Sequence, residues 1–485
     1  MVKEKRYYIS ILVAIAICLS SFAQNDSINL PLPDSLPAIK KEAPANKDAH
    51  FIIRTITVEG NRRTKTEIIL RELPFKLGDG YTLQELVKKF ETGRRQLMNT
   101  ALFHEVVVAL YNLRGYDVDV KIQVKERLYL FPVPYFKPVD RNLNQWLVEQ
   151  KASLKRVNYG AKLLYNNVTG RNDKLRFWLI SGYTRQLSFS YDRLYIDKKL
   201  KWGVNMGLSL GNNKEINYNT VDDKQVFFKD NNNFVRKFFS SYAELTYRRA
   251  IRTRHRFGIA YSKESVADTV LKLNPDYFAG GRKKVEYPEL YYIMTYYNLD
   301  YIPYPTKGYA AEINVSKKGI NKAFNLWQFS VKGSGNWTTG KKSFVSLNAL
   351  TAIKLPFSQP YFNQKLLGYS DAFLQGYEYY VIDGTAAAYL KATYTRKLVE
   401  FSFHLPGTKK IAPKNVPVKI YGKVFGNTGY IYNPKPGNNS LSNQTLFSSG
   451  FGLDVVTIYD FILKLEWSFN QLGQNGLFLH RKTIF

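Results

Sequence analysis

Read in steps of two, the segment FILKLEWSFN (461–470) sends Phe461, Leu463, Leu465, Trp467 and Phe469 to one side and Lys464, Glu466, Ser468 and Asn470 to the other. LFSSGFGLDVV repeats the pattern, with Phe447, Phe451, Leu453 and Val455 against Ser448, Gly450, Gly452 and Asp454. Similar stretches recur at 157–166, 172–182, 187–195, 201–211, 235–249, 254–264, 288–300, 308–317, 324–337, 343–355, 385–398 and 418–432. A strand with one apolar and one polar face divides oil from water, which a membrane-spanning barrel with a wet lumen requires. A soluble sandwich instead buries its apolar faces between two sheets, and so many long strands with aromatic or polar faces do not suit it. With one strand ahead of 157 and one ending at Phe485, the expected count is about 16. No segment carries the roughly 18 consecutive apolar residues of a membrane helix.

Composition agrees with a barrel. The chain holds 36 tyrosines, and aromatics make up 15% of it; Tyr and Trp line both edges of a membrane-spanning barrel. Its 70 Lys and Arg against 39 Asp and Glu leave a formal charge of +31. That charge suits a phosphate-rich outer-membrane surface, including lipopolysaccharide. The basic residues are spread rather than clustered, so nucleic acid is not an expected partner.

The first residues read as an export signal. Lys3, Lys5 and Arg6 precede an apolar run from Ile9 to Leu19, and Ser21-Phe22-Ala23 forms a small-x-small cleavage site, so 1–23 is expected to be a signal peptide. Cys18 is the chain's one cysteine, which leaves the mature protein without disulfides or thiolate metal sites. Residues 24–50, with Pro31, Pro33, Pro37 and Pro44 among polar residues, read as an extended linker. From Phe51 to Arg127 the order is strand, helix, helix, strand, strand. FIIRTITVEGN turns at Gly60-Asn61, Thr64 or Thr66 caps a first helix, and Thr82 with Glu85 forms a capping box on a second. EVVVALYN and YDVDVKIQVKE follow, the latter alternating Val118, Val120, Ile122 and Val124. The whole chain is therefore mainly β: an α+β domain over 51–127 ahead of a transmembrane antiparallel β-barrel over 128–485.

Gly60-Asn61, Thr64, Arg71-Glu72, Gly78 and Leu102-Phe103, in ITVEGNRRTKTEIILREL and LMNTALFHEVVV, resemble a POTRA domain. This is the periplasmic module of the outer-membrane assembly family that includes BamA and TamA. YGAKLLYNNVTGRNDKLRF, DYIPYPTKGYAAEINVS and GFGLDVVTIYDFILKLEWSF look like barrel strands of the same family. The resemblance implies a protein of the Gram-negative outer membrane with its POTRA domain in the periplasm. Its clients would be unfolded outer-membrane or secreted proteins, with accessory lipoproteins as possible partners. They would be captured as an added strand at the POTRA sheet, for which the strand carrying 118–124, or its neighbour, is the expected edge. They would then be inserted, or passed across the membrane, at the barrel. A secretion pore for one partner, or a passive pore, is the alternative.

The resemblance also places LQGYEYYVIDG (374–384), between the strands at 343–355 and 385–398, as a loop folded back into the lumen. In the family the tip reads Val/Leu-Arg-Gly-Phe/Tyr, and acids on neighbouring strands hold its arginine. Here Leu374, Gln375, Gly376 and Tyr377 occupy the tip, Asn427 in VFGNTGY stands where an acid is expected, and Lys391 replaces another. With arginine and acids gone together, no buried charge is stranded. Gln375 is expected beside Asn427, with Lys391 near Glu378 or Asp383. Terminal Phe485 is expected to serve as an insertion signal. Enzyme readings find little: His50, His104, His255, His404 and His480 show no zinc-ligand spacing. Ser448 has no base near it in sequence, and Asp371, Glu378 and Asp383 read as solvated or salt-bridged loop acids. No cofactor is expected.

Overall fold

The computed structural model describes residues 49–138, 145–230, 232–321, 324–369, 372–404 and 415–480. The signal peptide, nearly all of the linker, Asp371 and Phe485 lie outside them. Among the described residues no helix is long and apolar enough to cross a membrane.

The N-terminal unit runs β1 (Phe51–Glu59), α1 (Thr66–Arg71), β2 (Gly80–Tyr81), α2 (Leu83–Met98), β3 (Phe103–Arg114) and β4 (Asp117–Glu126). Apolar side chains at period two from the strands meet the inner faces of the helices in a core that includes Ile53, Ile69, Leu86, Leu97, Phe103 and Ile122. The Thr82–Glu85 capping box opens α2 as expected. At α1 the N-cap is Lys65, and no side chain caps it. Thr64 turns inward instead, its hydroxyl 3.0 Å from that of Tyr129.

The sheet order is β2-β1-β4-β3, with β1 parallel and β3 antiparallel to β4. This corrects the expectation for Val118, Val120, Ile122 and Val124. All four are buried on β4, an interior strand whose backbone groups are taken by β1 and β3. The long exposed edge belongs to β3.

Sixteen strands form one continuous antiparallel sheet. They begin with β5 (Leu130–Pro138), β6 (Val157–Asn166), β7 (Lys174–Gly182), β8 (Thr184–Tyr195) and β9 (Trp202–Asn213). A hairpin of β10 (Glu215–Val221) and β11 (Lys224–Lys229) stands apart before β12 (Arg236–Tyr247) and β13 (Thr253–Val266). After α3 (Asp268–Leu273), the sheet continues through β14 (Lys284–Leu299), β15 (Gly308–Asn321), β16 (Phe324–Thr338) and β17 (Ser343–Leu355). The loop that follows carries α4 (Tyr361–Gln364), β18 (Lys365–Leu367) and β19 (Ile382–Asp383). The last strands are β20 (Ala386–His404), β21 (Asn415–Tyr432), β22 (Thr445–Val456), β23 (Ile462–Asn470) and β24 (Asn475–His480).

The faces divide as the alternation demands. On β22 and β23, Phe447, Phe451, Trp467 and Phe469 are exposed, whereas Ser448, Asp454, Glu466 and Ser468 are buried. Because the N-terminal unit joins the start of β5, every second turn faces it. Several such turns are latched to it. Arg63 donates to the carbonyls of Asn167 and Val168 at 2.8 and 2.6 Å, and Arg248 holds Glu72 at 2.5 and 2.7 Å. Asn99 binds Leu299 and Ile302, and Arg127 pairs with Asp460 at 2.7 Å. The loop between β17 and β20 therefore emerges at the opposite mouth.

Candidate functional site

The 374–384 stretch is buried inside the barrel. Leu374, Tyr377, Tyr380 and Ile382 form an apolar cluster with Leu367, Ala387, Ile431, Leu441 and Leu446. Gly376 reaches the wall with φ 92°. A Cβ there would lie 2.9 Å from the Ser448 Cβ and 3.1 Å from the Phe469 carbonyl oxygen. Only glycine takes that backbone in that space without strain.

Gln375 does meet a carboxylate, on β23. Its Nε2 donates to Glu466 Oε1 at 2.9 Å. Glu466 is almost wholly buried on β23, where it also accepts from the Lys423 ammonium and contacts His480 Nδ1 at 2.5 Å. Lys423 reaches Asp454 at 2.5 Å, and Tyr304 donates to the same carboxylate at 2.9 Å. A buried charge is tolerated only when paired and hydrogen-bonded; Glu466 satisfies both conditions. Positions 391 and 427 supply no acid, as the sequence says; the carboxylate comes instead from β23, and Lys423 supplies a cation in the wall.

Asn427 lies beside the tip, its Nδ2 3.5 Å from the Gln375 carbonyl oxygen and 3.0 Å from Ser448 Oγ. Glu378 turns back on its own loop and accepts from the Gly376 N–H at 2.7 Å. Lys391 lies over the rings of Phe373 and Tyr389 at 4.3 and 5.1 Å. Asp383 belongs to another part of the loop, where Tyr369 donates to it at 2.5 Å.

These contacts converge on the last four strands. Besides Asn427 on β21 and Glu466 on β23, the Tyr377 hydroxyl donates to the Phe447 carbonyl of β22 at 3.0 Å, and Asn470 of β23 donates to the Gly376 carbonyl at 2.8 Å. Phe373 stacks on His480 of β24 at 4.6 Å, and Tyr379 meets Phe478 edge-on at 5.2 Å. Among the described residues the sheet ends at β24. Its two outer strands are β24 and β5, and no ladder joins them among the described residues. The loop thus braces one side of this seam from within.

A second open edge lies on the N-terminal unit. β3 runs for 12 residues with Val107, Leu110, Tyr111 and Leu113 exposed. A long edge with exposed apolar side chains invites another strand.

Residues 51–127 match the POTRA family model, described as surface antigen variable number repeat, and residues 167–461 match the Omp85 superfamily domain. Over 77 residues, 16% of this chain and 10% of the relative, the sequence is 33% identical to the outer membrane protein assembly factor BamA of Neorickettsia risticii (strain Illinois). Among solved structures, CdiB from Escherichia coli matches at TM-score 0.53 and 11% identity over 90% of this chain and 76% of that one. BamA from Haemophilus ducreyi lacking POTRA domains 1–3 matches at TM-score 0.47 and 15% identity over 89% and 83%.

Proposed function

This chain belongs to the Omp85 superfamily, and we propose that it inserts or translocates other proteins at the outer membrane of a Gram-negative bacterium, with its POTRA domain in the periplasm. The observation that carries this reading is the sheet that ends in two strands with no ladder between them among the described residues. In hydrocarbon each unsatisfied backbone group costs several kcal/mol, so a chain that reaches such an edge is strongly drawn to pair there. Clients are unfolded chains with alternating apolar and polar residues, captured first at the β3 edge of the POTRA domain and then at the seam. The lumen loop holds β21 to β24 in register while the seam admits its client. Lipopolysaccharide and accessory lipoproteins remain proposed neighbours on the strength of family membership.

Depletion of the protein followed by quantification of the outer-membrane proteome tests the reading. Many barrel proteins should fall together within a few generations. Loss of one exported protein alone would favour a dedicated secretion pore, and altered solute uptake with an unchanged proteome would overturn assembly.

A further inference from the structure

The strand that opens the barrel, LFPVPYFKP, holds Pro132, Pro134 and Pro138 at alternate positions. Which edge they occupy follows from the ladder with β6. The Asn166 N–H donates to the Tyr129 carbonyl at 2.8 Å, and the register continues from Leu130 opposite Tyr165 to Pro138 opposite Val157. In an antiparallel pair, hydrogen-bonded and non-hydrogen-bonded positions alternate. Tyr129, Phe131, Val133, Tyr135 and Lys137 therefore turn their backbone groups to β6. Leu130, Pro132, Pro134, Phe136 and Pro138 turn theirs to the seam. All three prolines fall on the seam side, where each removes an N–H and puts ring carbons in the path of an approaching carbonyl.

The remaining strand prolines follow the same rule. Pro288 lies just past the last residue of β14 that pairs with β15, Glu289. Pro417 lies past Lys419, the last residue of β21 paired with β22. The opposite side of the seam is different. The Asn470 N–H donates to the Gln474 carbonyl at 3.0 Å, so by the same alternation Asn475, Leu477 and Leu479 of β24 face away from β23. None of these is proline.

Resting on the assembly reading above, we propose that the seam is asymmetric: β5 is an acceptor-rich edge that cannot template a regular ladder, and an incoming client strand is aligned on β24. Three of the donors that would hold β5 to β24 are absent, so fewer hydrogen bonds resist opening, and fewer buried N–H groups are left unsatisfied when β5 stands alone. The client's own carbonyls find few partners on β5, which favours release from that side.

The test uses the full chain in lipid vesicles. In the triple variant P132V/P134V/P138V the seam-facing donors return, and the Leu479 amide should exchange with solvent at least about tenfold more slowly, a change of about 1.4 kcal/mol in opening. In parallel, single cysteines at Leu479 or Phe136 are challenged with a barrel client carrying cysteines along its first and final strands, the first being the one that runs antiparallel to β24. Capture should centre on Leu479 in the wild-type background and weaken in the valine variant. Slowed exchange without client capture at either site keeps the asymmetry and removes the assembly reading. Unchanged exchange, or capture centred on Phe136, overturns the asymmetry and leaves the assembly reading standing.

Discussion

At Gln375 a neutral amide donates to a buried carboxylate that already serves Lys423 and His480. Hydrogen bonds to charged groups contribute about 1.5–3 kcal/mol against about 0.5–1.5 for neutral pairs, so the Glu466 contact outweighs the one to Asn427. Gln375→Ala should destabilise the folded barrel by about 1.5–3 kcal/mol, read as a lower guanidinium midpoint in micelles. Glu466→Ala should cost roughly 3–5 kcal/mol, because it removes the buried carboxylate that Lys423, His480 and Gln375 share. A double-mutant cycle should find coupling between 375 and 466. Coupling near zero would make the loop's position independent of this bond. Gly376→Ala tests the seat of the tip by shape alone. A methyl at φ 92° within 3.1 Å of the Phe469 carbonyl should release the tip, giving faster proteolysis within 374–384; proteolysis at the wild-type rate would show that the wall yields. Gln375→Arg would place a guanidinium beside Glu466, in a wall that Lys423 and Lys391 already make cationic.

Strand by strand, the barrel could be read from period-two alternation because lipid and lumen impose opposite chemistry on neighbouring residues. That logic fails for the β10–β11 hairpin. Glu215, Ile216 and Asn217 are consecutively buried, so no apolar-out, polar-in signal exists. It fails also for β4. Alternation at Val118, Val120, Ile122 and Val124 says that one face is buried but not which strands lie to either side, and the parallel partner β1 is distant in sequence. Glu466 was visible as an acid on the polar face of β23, yet its meeting with Gln375 depends on barrel register and on an inward loop, neither of which is written locally. At β3 the sheet order yields a direct experiment. Of two consecutive residues in an antiparallel edge strand, one N–H faces β4 and the other faces outward. Proline at Val107 and at Val108 in turn should give one variant that weakens the fold and one that folds normally but loses photocrosslinking to unfolded clients. If the folded variant captures clients as well as wild type does, β3 is not the capture edge.

Across the whole molecule, the POTRA domain is fastened to the barrel mouth by charged pairs, and Glu72 is the most buried acid among them. Burial opposes its ionisation, but Arg248 outweighs that cost and lowers the carboxyl from 4.5 to about 2, with Arg71 adding to the effect. A group whose folded pKa is depressed contributes stability that is complete above the unfolded value and is lost as pH falls through the folded one. At about 1.4 kcal/mol per pKa unit, the latch is worth roughly 3 kcal/mol above pH 4.5 and fades between there and about pH 2. Glu72→Gln should imitate the acid state at neutral pH, since a neutral amide cannot compensate Arg248. Spin labels at Glu91 on α2 and Lys341 in the β16–β17 turn, both exposed, report the hinge directly. The wild-type distance distribution should be narrow at pH 7 and broaden near pH 3, whereas the Glu72→Gln variant should already be broad at pH 7 and change little on acidification. A variant that stays narrow at pH 7 would transfer the latch to the other contacts, with Arg127 and Asp460 the next pair to remove.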